Sequence, residues 1–236
     1  MLGIITAVTA ERDAILTQLR EVKPLKIYDI DFYQGLIGQT QCITTMSGVG
    51  KVNAARSTQL MIERFHPNRI VNIGSAGALH PELNIGDVVI STSCVQHDVD
   101  LTAFGVKKGS LDDDGDGFIQ ADVDFSHLCQ TAMEQSLSEQ YRIWNGPIAT
   151  GDQFNDSLER TQQVFRDFGA YCIEMEGAAV AQVCAACRVP FVVIRSISDK
   201  PSNQTIESYN QYKHLASQRC VGFLVNLVNV LENQSV

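Results

Sequence analysis

The chain lacks any block of five or more Lys or Arg, and its 18 basic residues are outnumbered by 27 acidic ones, for a net charge of −9. Nucleic acids and anionic membranes both demand a basic patch, so neither is expected as the main partner. Long apolar runs are missing too, each hydrophobic stretch breaking well short of the roughly 20 residues of a membrane span. Met1 to Arg20 show neither the charged start nor the long apolar stretch of a signal peptide. No disulfide framework is visible: the seven cysteines, Cys42, Cys94, Cys129, Cys172, Cys184, Cys187 and Cys220, are odd in number and lie mostly in apolar runs. Reduced thiols and a cytoplasmic location are expected. With no repeat, low-complexity tract or linker, residues 1–236 are expected to fold as a single domain.

What is present is alternation. Leu2 to Val8, Arg69 to Gly74, Val88 to Val95, Tyr141 to Ala149 and Pro190 to Asp199 read as strands, several of them continuous apolar runs covered on both faces. Lys26 to Leu36 and Gln41 to Met46 read as a hairpin. Helices are expected from a Thr9 cap to about Arg20, over Val52 to Phe65, Ser126 to Gln140, from a Ser157 cap to Phe168, over Gly177 to Arg188, and along the closing segment. Leu215, Val221, Leu224, Val225, Val228 and Leu231 form the inner face of that last helix. The fold class is α/β: a three-layer sandwich with a central mixed, largely parallel sheet flanked by helices.

The stretch Ile173-Glu174-Met175-Glu176-Gly177 carries two acids among apolar neighbours. If the backbone is extended there, both point to one side. They then sit in a semi-buried pocket and need partners, for which a sugar diol is one candidate; the alternative is an exposed turn. Glu11 is either a capping acid in a first helical turn or an acid at the carboxyl end of a central strand. Ser75 and Asp199 follow strand ends, where open α/β sheets bind ligands. Ser47-Gly48-Val49-Gly50-Lys51 is a glycine loop without P-loop spacing. It allows backbone to approach a ligand or a neighbouring strand.

Three further motifs weigh less. His97 with Asp98 and Asp100 is a weak metal pattern. Asp112 to Gly117 matches the first half of a calcium loop, but Val123 stands where the bidentate Glu belongs, so a solvated acidic loop is the stronger reading. Cys184 and Cys187 have no second pair and read as buried small residues one turn apart. No metal and no cofactor are expected.

Taken in order, Gly3-Ile4-Ile5, Ser47 to Val52, Asn72-Ile73-Gly74-Ser75-Ala76-Gly77, Thr102-Ala103-Phe104-Gly105, Glu174-Met175-Glu176 and Arg195 to Asp199 resemble the bacterial 5′-methylthioadenosine/S-adenosylhomocysteine nucleosidases, within the nucleoside phosphorylase superfamily. The likeness runs over nearly the whole chain. It implies hydrolysis of the N-glycosidic bond of an adenine nucleoside, with 5′-deoxyadenosine as a further substrate. Glu11 would activate the water and Asp199 would deliver a proton to adenine N7. Glu176 would hold the ribose hydroxyls, Met175 would line the sugar, and Ser75 would belong to the water and ribose side. Backbone at Phe154 and Asn155 would read the adenine edge, with the Phe154 ring on the base. Val49, Gly77, Glu174, Ser198 and Tyr209 complete the implied binding set. Leu101 and Phe104 would reach the 5′ group of a neighbouring subunit's site, which implies a homodimer.

Asn155, Val106 and Asp112 depart from that pattern, which leaves the 5′ substituent open. An aminofutalosine nucleosidase, a purine nucleoside phosphorylase and a non-catalytic nucleoside-binding protein stand as alternatives. Against the phosphorylase, Asn72-Ile73 stands where the resemblance would place an arginine, and Leu2 to Ala10 contains no Arg or Lys.

Overall fold

The computed structural model describes residues 1–113, 115–200 and 205–234, apart from the side chains of 205–206, 208–210, 213–218 and 220. Ten strands alternate with six helices: β1 Leu2–Thr6, α1 Thr9–Leu16, β2 Arg20–Ile27, β3 Ile30–Ile37, β4 Thr40–Met46, α2 Lys51–Phe65, β5 Arg69–Ala78, β6 Val88–Gln96, β7 Ile119–Gln120, α3 Val123–Glu134, β8 Ile143–Thr150, α4 Leu158–Phe168, β9 Cys172–Glu174, α5 Gly177–Cys187, β10 Phe191–Asp199 and α6 Thr205–Asn233. All the strands join one mixed sheet, in the order β10-β6-β8-β9-β5-β1-β4-β3-β2, with β7 on β6. A further pairing of β10 with β5 curls half of the sheet back on itself.

Side chains alternate across a strand, so consecutive apolar residues feed opposite faces. Leu2 and Ile4 pack with Ile15 of α1, Phe125 and Cys129 of α3, and Phe223, Leu224, Leu227 and Val228 of α6. Ile5 and Ile43 pack on the other face with Ala54 and Met61 of α2 and with Ala178 to Ala181 of α5. That gives helix, sheet and helix layers, as the alternation required. Each large apolar side chain fully buried in these cores is worth about 1.5–3 kcal/mol. Of the expected inner face of α6, Leu224 and Val228 are buried, Val221, Val225 and Leu231 are half-buried, and Leu215 lies outside the described side chains.

Four local expectations are corrected. The hairpin is a three-strand meander, because Arg20–Ile27 pairs antiparallel with β3. That edge strand is exposed along almost its whole length and has no apolar face to betray it. Correspondingly, α1 ends at Leu16, and Val8, not Thr9, is its cap residue. Helix α3 starts at Val123, because the Asp122 side chain accepts the Phe125 amide at 2.8 Å, and it stops at Glu134. Finally, β5 does not end at Gly74 but runs on through Ala78, its small residues fitting between β10 and β9.

Strands β1, β4, β5 and β10 are mutually parallel through β1–β4, β1–β5 and β10–β5 pairing. Their carboxyl ends therefore open on one edge, and the loops that follow them meet there. Among the described residues no helix is long and apolar enough to cross a membrane.

Candidate active site

At that edge lies a cavity of about 230 Å³, lined by Glu11, Val49, Ser75, Gly77, Phe154, Met175, Glu176, Arg195, Ser198 and Asp199 among others. Register explains the convergence. Asp199 on β10 pairs with Gly77 on β5, and Gly77 pairs on its other side with Ile173 of β9. The acid thus faces a residue without a side chain: a methyl added to Gly77 would stand 2.9 Å from Asp199 Oδ2. Glu11 enters from the first turn of α1, where its Oε2 accepts the amides of Ala7 at 3.0 Å and Val8 at 3.2 Å. Both earlier readings of Glu11 hold at once: it caps the helix and closes the end of β1.

The two acids of the Glu174-Met175-Glu176 stretch part ways. Strand β9 ends at Glu174, and Glu176 caps α5 in a non-extended conformation, so the pair is not a simple two-residue strand repeat. Glu174 turns inward. It accepts the amides of Glu176 at 3.0 Å and Gly177 at 2.7 Å, the Thr150 hydroxyl, and the Nε and Nη2 of Arg195. The Thr150 hydroxyl oxygen in turn accepts the Ala178 amide at 2.8 Å. Glu176 turns to the cavity, and its Oε1 accepts the Gly50 amide at 2.9 Å. Both acids are 6% exposed, so the semi-buried reading wins over the exposed turn.

Arg195 is the residue whose role the sequence did not disclose. It is fully buried on β10, yet it lines the cavity beside Glu11. Its five N–H groups are all engaged: Nε on Glu174, Nη1 on the Asn72 carbonyl at 3.3 Å and the Ile194 carbonyl at 3.1 Å, Nη2 on Asn72 Oδ1 at 2.6 Å and again on Glu174. The usable signal was a lone cation inside the most apolar strand, which has to be paired when buried.

Burial disfavours the charged form of three acids in the cavity, Glu11, Glu176 and Asp199. It raises Glu11, against the opposing amides of Ala7, Val8 and Ser75 and the Arg195 charge. It raises Glu176 to about 7, helped by the neighbouring Glu174 and opposed by Arg195 and the Gly50 amide. It raises Asp199, opposed by the Ser198 hydroxyl, whose Oγ lies 2.7 Å from Oδ1. Three of the acids lining the cavity, Glu11, Glu176 and Asp199, therefore hold their protons to higher pH than ordinary carboxylates, Asp199 beside Gly77 and Glu176 beside the Gly50 amide.

Of the residues singled out in the sequence, Leu101 and Phe104 stand apart from the cavity, and Phe104 is 83% exposed in a short turn at Thr102–Phe104. Asn155 is buried but points to Thr161 Oγ1 at 2.7 Å and does not line the cavity, so only its backbone can serve there. The Tyr209 side chain lies outside the described residues. His97 is buried, and Asp98 pairs with Lys51. Among the described residues no cluster of three or more His, Cys, Asp or Glu is placed to hold a metal. Of the calcium-like loop, Asp114 lies outside the described residues. Asp116 accepts the Phe118 amide at 3.0 Å, and Val123 opens α3 instead of closing an ion loop. Asp112 and Asp116 line a separate recess with Gln96 and Gln182, not the mouth of the acid-lined cavity.

The chain is similar over 232 residues to a 5′-methylthioadenosine/S-adenosylhomocysteine nucleosidase of Bacillus cytotoxicus, with 36% identity over 98% of this chain and 99% of the relative. A solved nucleosidase of the same description from Colwellia psychrerythraea, in complex with adenine, superimposes with a TM-score of 0.92 at 34% identity, covering 98% of this chain and 95% of that one. A futalosine hydrolase of Helicobacter pylori superimposes with a TM-score of 0.90 at 32% identity, covering 97% of each chain. The family model described as the phosphorylase superfamily matches residues 1–229, and the chain belongs to that superfamily.

Proposed function

We propose that the protein hydrolyses the N-glycosidic bond of 5′-methylthioadenosine and S-adenosylhomocysteine, and of 5′-deoxyadenosine, releasing adenine. The observation that carries this reading is the convergence of Glu11, Glu176 and Asp199 on one cavity with Ser75, Gly77, Met175 and Phe154. As the bond to adenine lengthens, positive charge builds on the ribose and negative charge on the base. Asp199, whose proton burial makes harder to lose, donates it to N7, a contribution of about 10²–10⁴-fold. Glu11 takes a proton from the water that adds to C1′. Glu176 accepts hydrogen bonds from the ribose hydroxyls, and its charge favours the cationic sugar. Met175 and Ser75 line the sugar side, and Phe154 covers the base. The walls of the cavity keep stray water from the sugar cation.

Leu101 and the exposed Phe104 lie outside their own cavity, so they serve a 5′ group only across a homodimer, which belongs to the same proposal. Action in the cytoplasm is part of it as well, supported by the free buried thiols.

Replacing Asp199 with Asn keeps the shape and the Ser198 contact and removes the proton. Adenine release from 5′-methylthioadenosine should fall by two to four orders of magnitude with folding intact. Turnover like that of the unaltered protein would end the assignment. The likeness to a futalosine hydrolase favours one second reading, an aminofutalosine-type substrate with the same adenine chemistry. The ratio of kcat/KM on the two nucleosides decides between them.

A further inference from the structure

Three loops meet behind Glu176: residues 47–51 after β4, 97–100 after β6 and 151–155 after β8. The Asp98 carboxylate stands between them. Its Oδ1 accepts Lys51 Nζ at 2.6 Å, and its Oδ2 accepts the Asp152 amide at 3.0 Å. The Asp152 side chain returns the link, Oδ1 accepting the Lys51 backbone amide at 2.8 Å. Two carboxylates and one ammonium thus close a circuit through all three loops. Partial burial works against its charge, yet the bonds from Lys51 and the Asp152 amide hold the Asp98 carboxyl below its ordinary value.

None of these three residues lines the acid cavity. The pair of Lys51 and Asp98 is partly exposed, and such pairs add little to stability. The circuit does, however, fix the peptide next to Lys51. Gly50 has a φ of 99°, a region glycine enters freely, so by itself it would hold no single orientation. The Asp152 carboxylate closes over it, only 3.2 Å from where a Cβ would be. It is the amide of this Gly50 that donates to Glu176 Oε1. The Gly151 amide, in the third loop, donates to the Glu174 carbonyl at 3.0 Å, so the same circuit borders both acids.

We infer that Lys51, Asp98 and Asp152 are positioning residues, which hold the Gly50 amide on one oxygen of Glu176 and so leave the other aimed at the ribose diol. This rests on the reading of Glu176 as the acid that holds the diol. The charged groups facing Glu176 are Glu174, Arg195 and Glu11, and the Gly50 amide adds to Arg195 in favouring its ionised form.

The test compares 5′-methylthioadenosine with its 2′,3′-dideoxy counterpart, read as kcat/KM under single-turnover conditions. Lys51→Met and Asp98→Asn should each cost about tenfold on the diol substrate, the worth of one hydrogen bond to a charged acceptor, and leave the dideoxy substrate within about twofold. Lys51→Arg should restore the loss. The acidic limb of the pH profile should move to higher pH in both variants, because Glu176 loses a donor to its charged form. Glu176→Gln serves as the comparator. If it too discriminates between diol and dideoxy substrates as the unaltered protein does, the reading of Glu176 fails. If Glu176→Gln loses the discrimination while Lys51→Met and Asp98→Asn keep it, the positioning role alone fails. A variant that slows both substrates alike, with a lowered unfolding midpoint, also overturns that role in favour of a structural one. Asp98→Asn keeps the side chain's shape, so a failure of Lys51→Met to fold leaves the decision intact.

Discussion

Replacing Glu176 with Gln should change how stability depends on pH. Glu176 is 6% exposed, and burial together with Glu174 raises it from 4.5 to about 7. Between those values the folded protein keeps a proton that the unfolded chain has released. Folding therefore binds a proton in that window, and stability falls as pH rises through it. The contribution is present in full below about 4.5 and gone above about 7. At about 1.4 kcal/mol per pH unit, the window corresponds to about 3 kcal/mol. Glutamine does not titrate, fills nearly the same volume and can still accept the Gly50 amide. Asp199, whose shift comes from burial and Ser198, titrates in both proteins and cancels in the difference. Urea unfolding at pH 4.5 and pH 7.5 measures it: the variant should gain about 3 kcal/mol relative to the unaltered chain between the two pH values. A difference that stays flat across the window would refute the argument, because it would mean that Glu176 ionises as easily folded as unfolded.

Two other substitutions probe the same cavity. Gly77→Ala places a methyl 2.9 Å from Asp199 Oδ2, closer than a Cβ tolerates, so the acid must shift. With displacements of about 1 Å costing up to 10²-fold, kcat should fall at least about tenfold while circular dichroism is unchanged, and kinetics at saturating substrate check it. Arg195→Met leaves Glu174 buried without its cation and should destabilise by about 3–5 kcal/mol in urea unfolding. Adding Glu174→Gln to it should recover part of that loss, a coupling that a double-mutant cycle measures.

The parts of this site that were legible in the sequence are those that obey strand logic. Glu11 follows β1 and Asp199 ends β10, both parallel to β5, so their meeting at one edge follows from strand direction alone, whereas Ser75 was read as a strand end and lies inside the longer β5. What was hidden depends on register and on side-chain direction. That Asp199 faces Gly77, and not Ala76 or Ala78, is set by a shift in the β10–β5 ladder between Ile197 and Asp199. That Glu174 serves Arg195 while Glu176 serves the cavity depends on where β9 stops, and short strands leave no periodic signal. The resemblance implied a binding role for the Asn155 backbone alone, and where its side chain goes, to Thr161, had no signal in the sequence. The exposed edge strand β2 was invisible because neither of its faces is buried.

Arg195 also bears on the nucleophile. The absence of arginine before Gly74 pointed to water, but the fold carries a guanidinium into the cavity from β10 instead. The proposal of water as the nucleophile then rests on a different reason. A phosphate dianion needs N–H donors that are free to turn to it, and all five of Arg195 are committed to Glu174, Asn72 and Ile194. Among the described residues it is the single cation lining the cavity, against Glu11, Glu174, Glu176 and Asp199. Freeing two donors for phosphate would strip hydrogen bonds from the buried Glu174 carboxylate or from the Asn72 and Ile194 oxygens, at about 1.5–3 kcal/mol for each bond with a charged partner. Water asks for none of this, since one proton acceptor, Glu11, suffices. The rate of adenine release should therefore be the same with and without millimolar phosphate, and the sugar product should carry a free C1 hydroxyl. A rate that rises with phosphate and yields a sugar 1-phosphate would show that Arg195 can let go of its partners, and would move the protein to the phosphorolytic side of its superfamily.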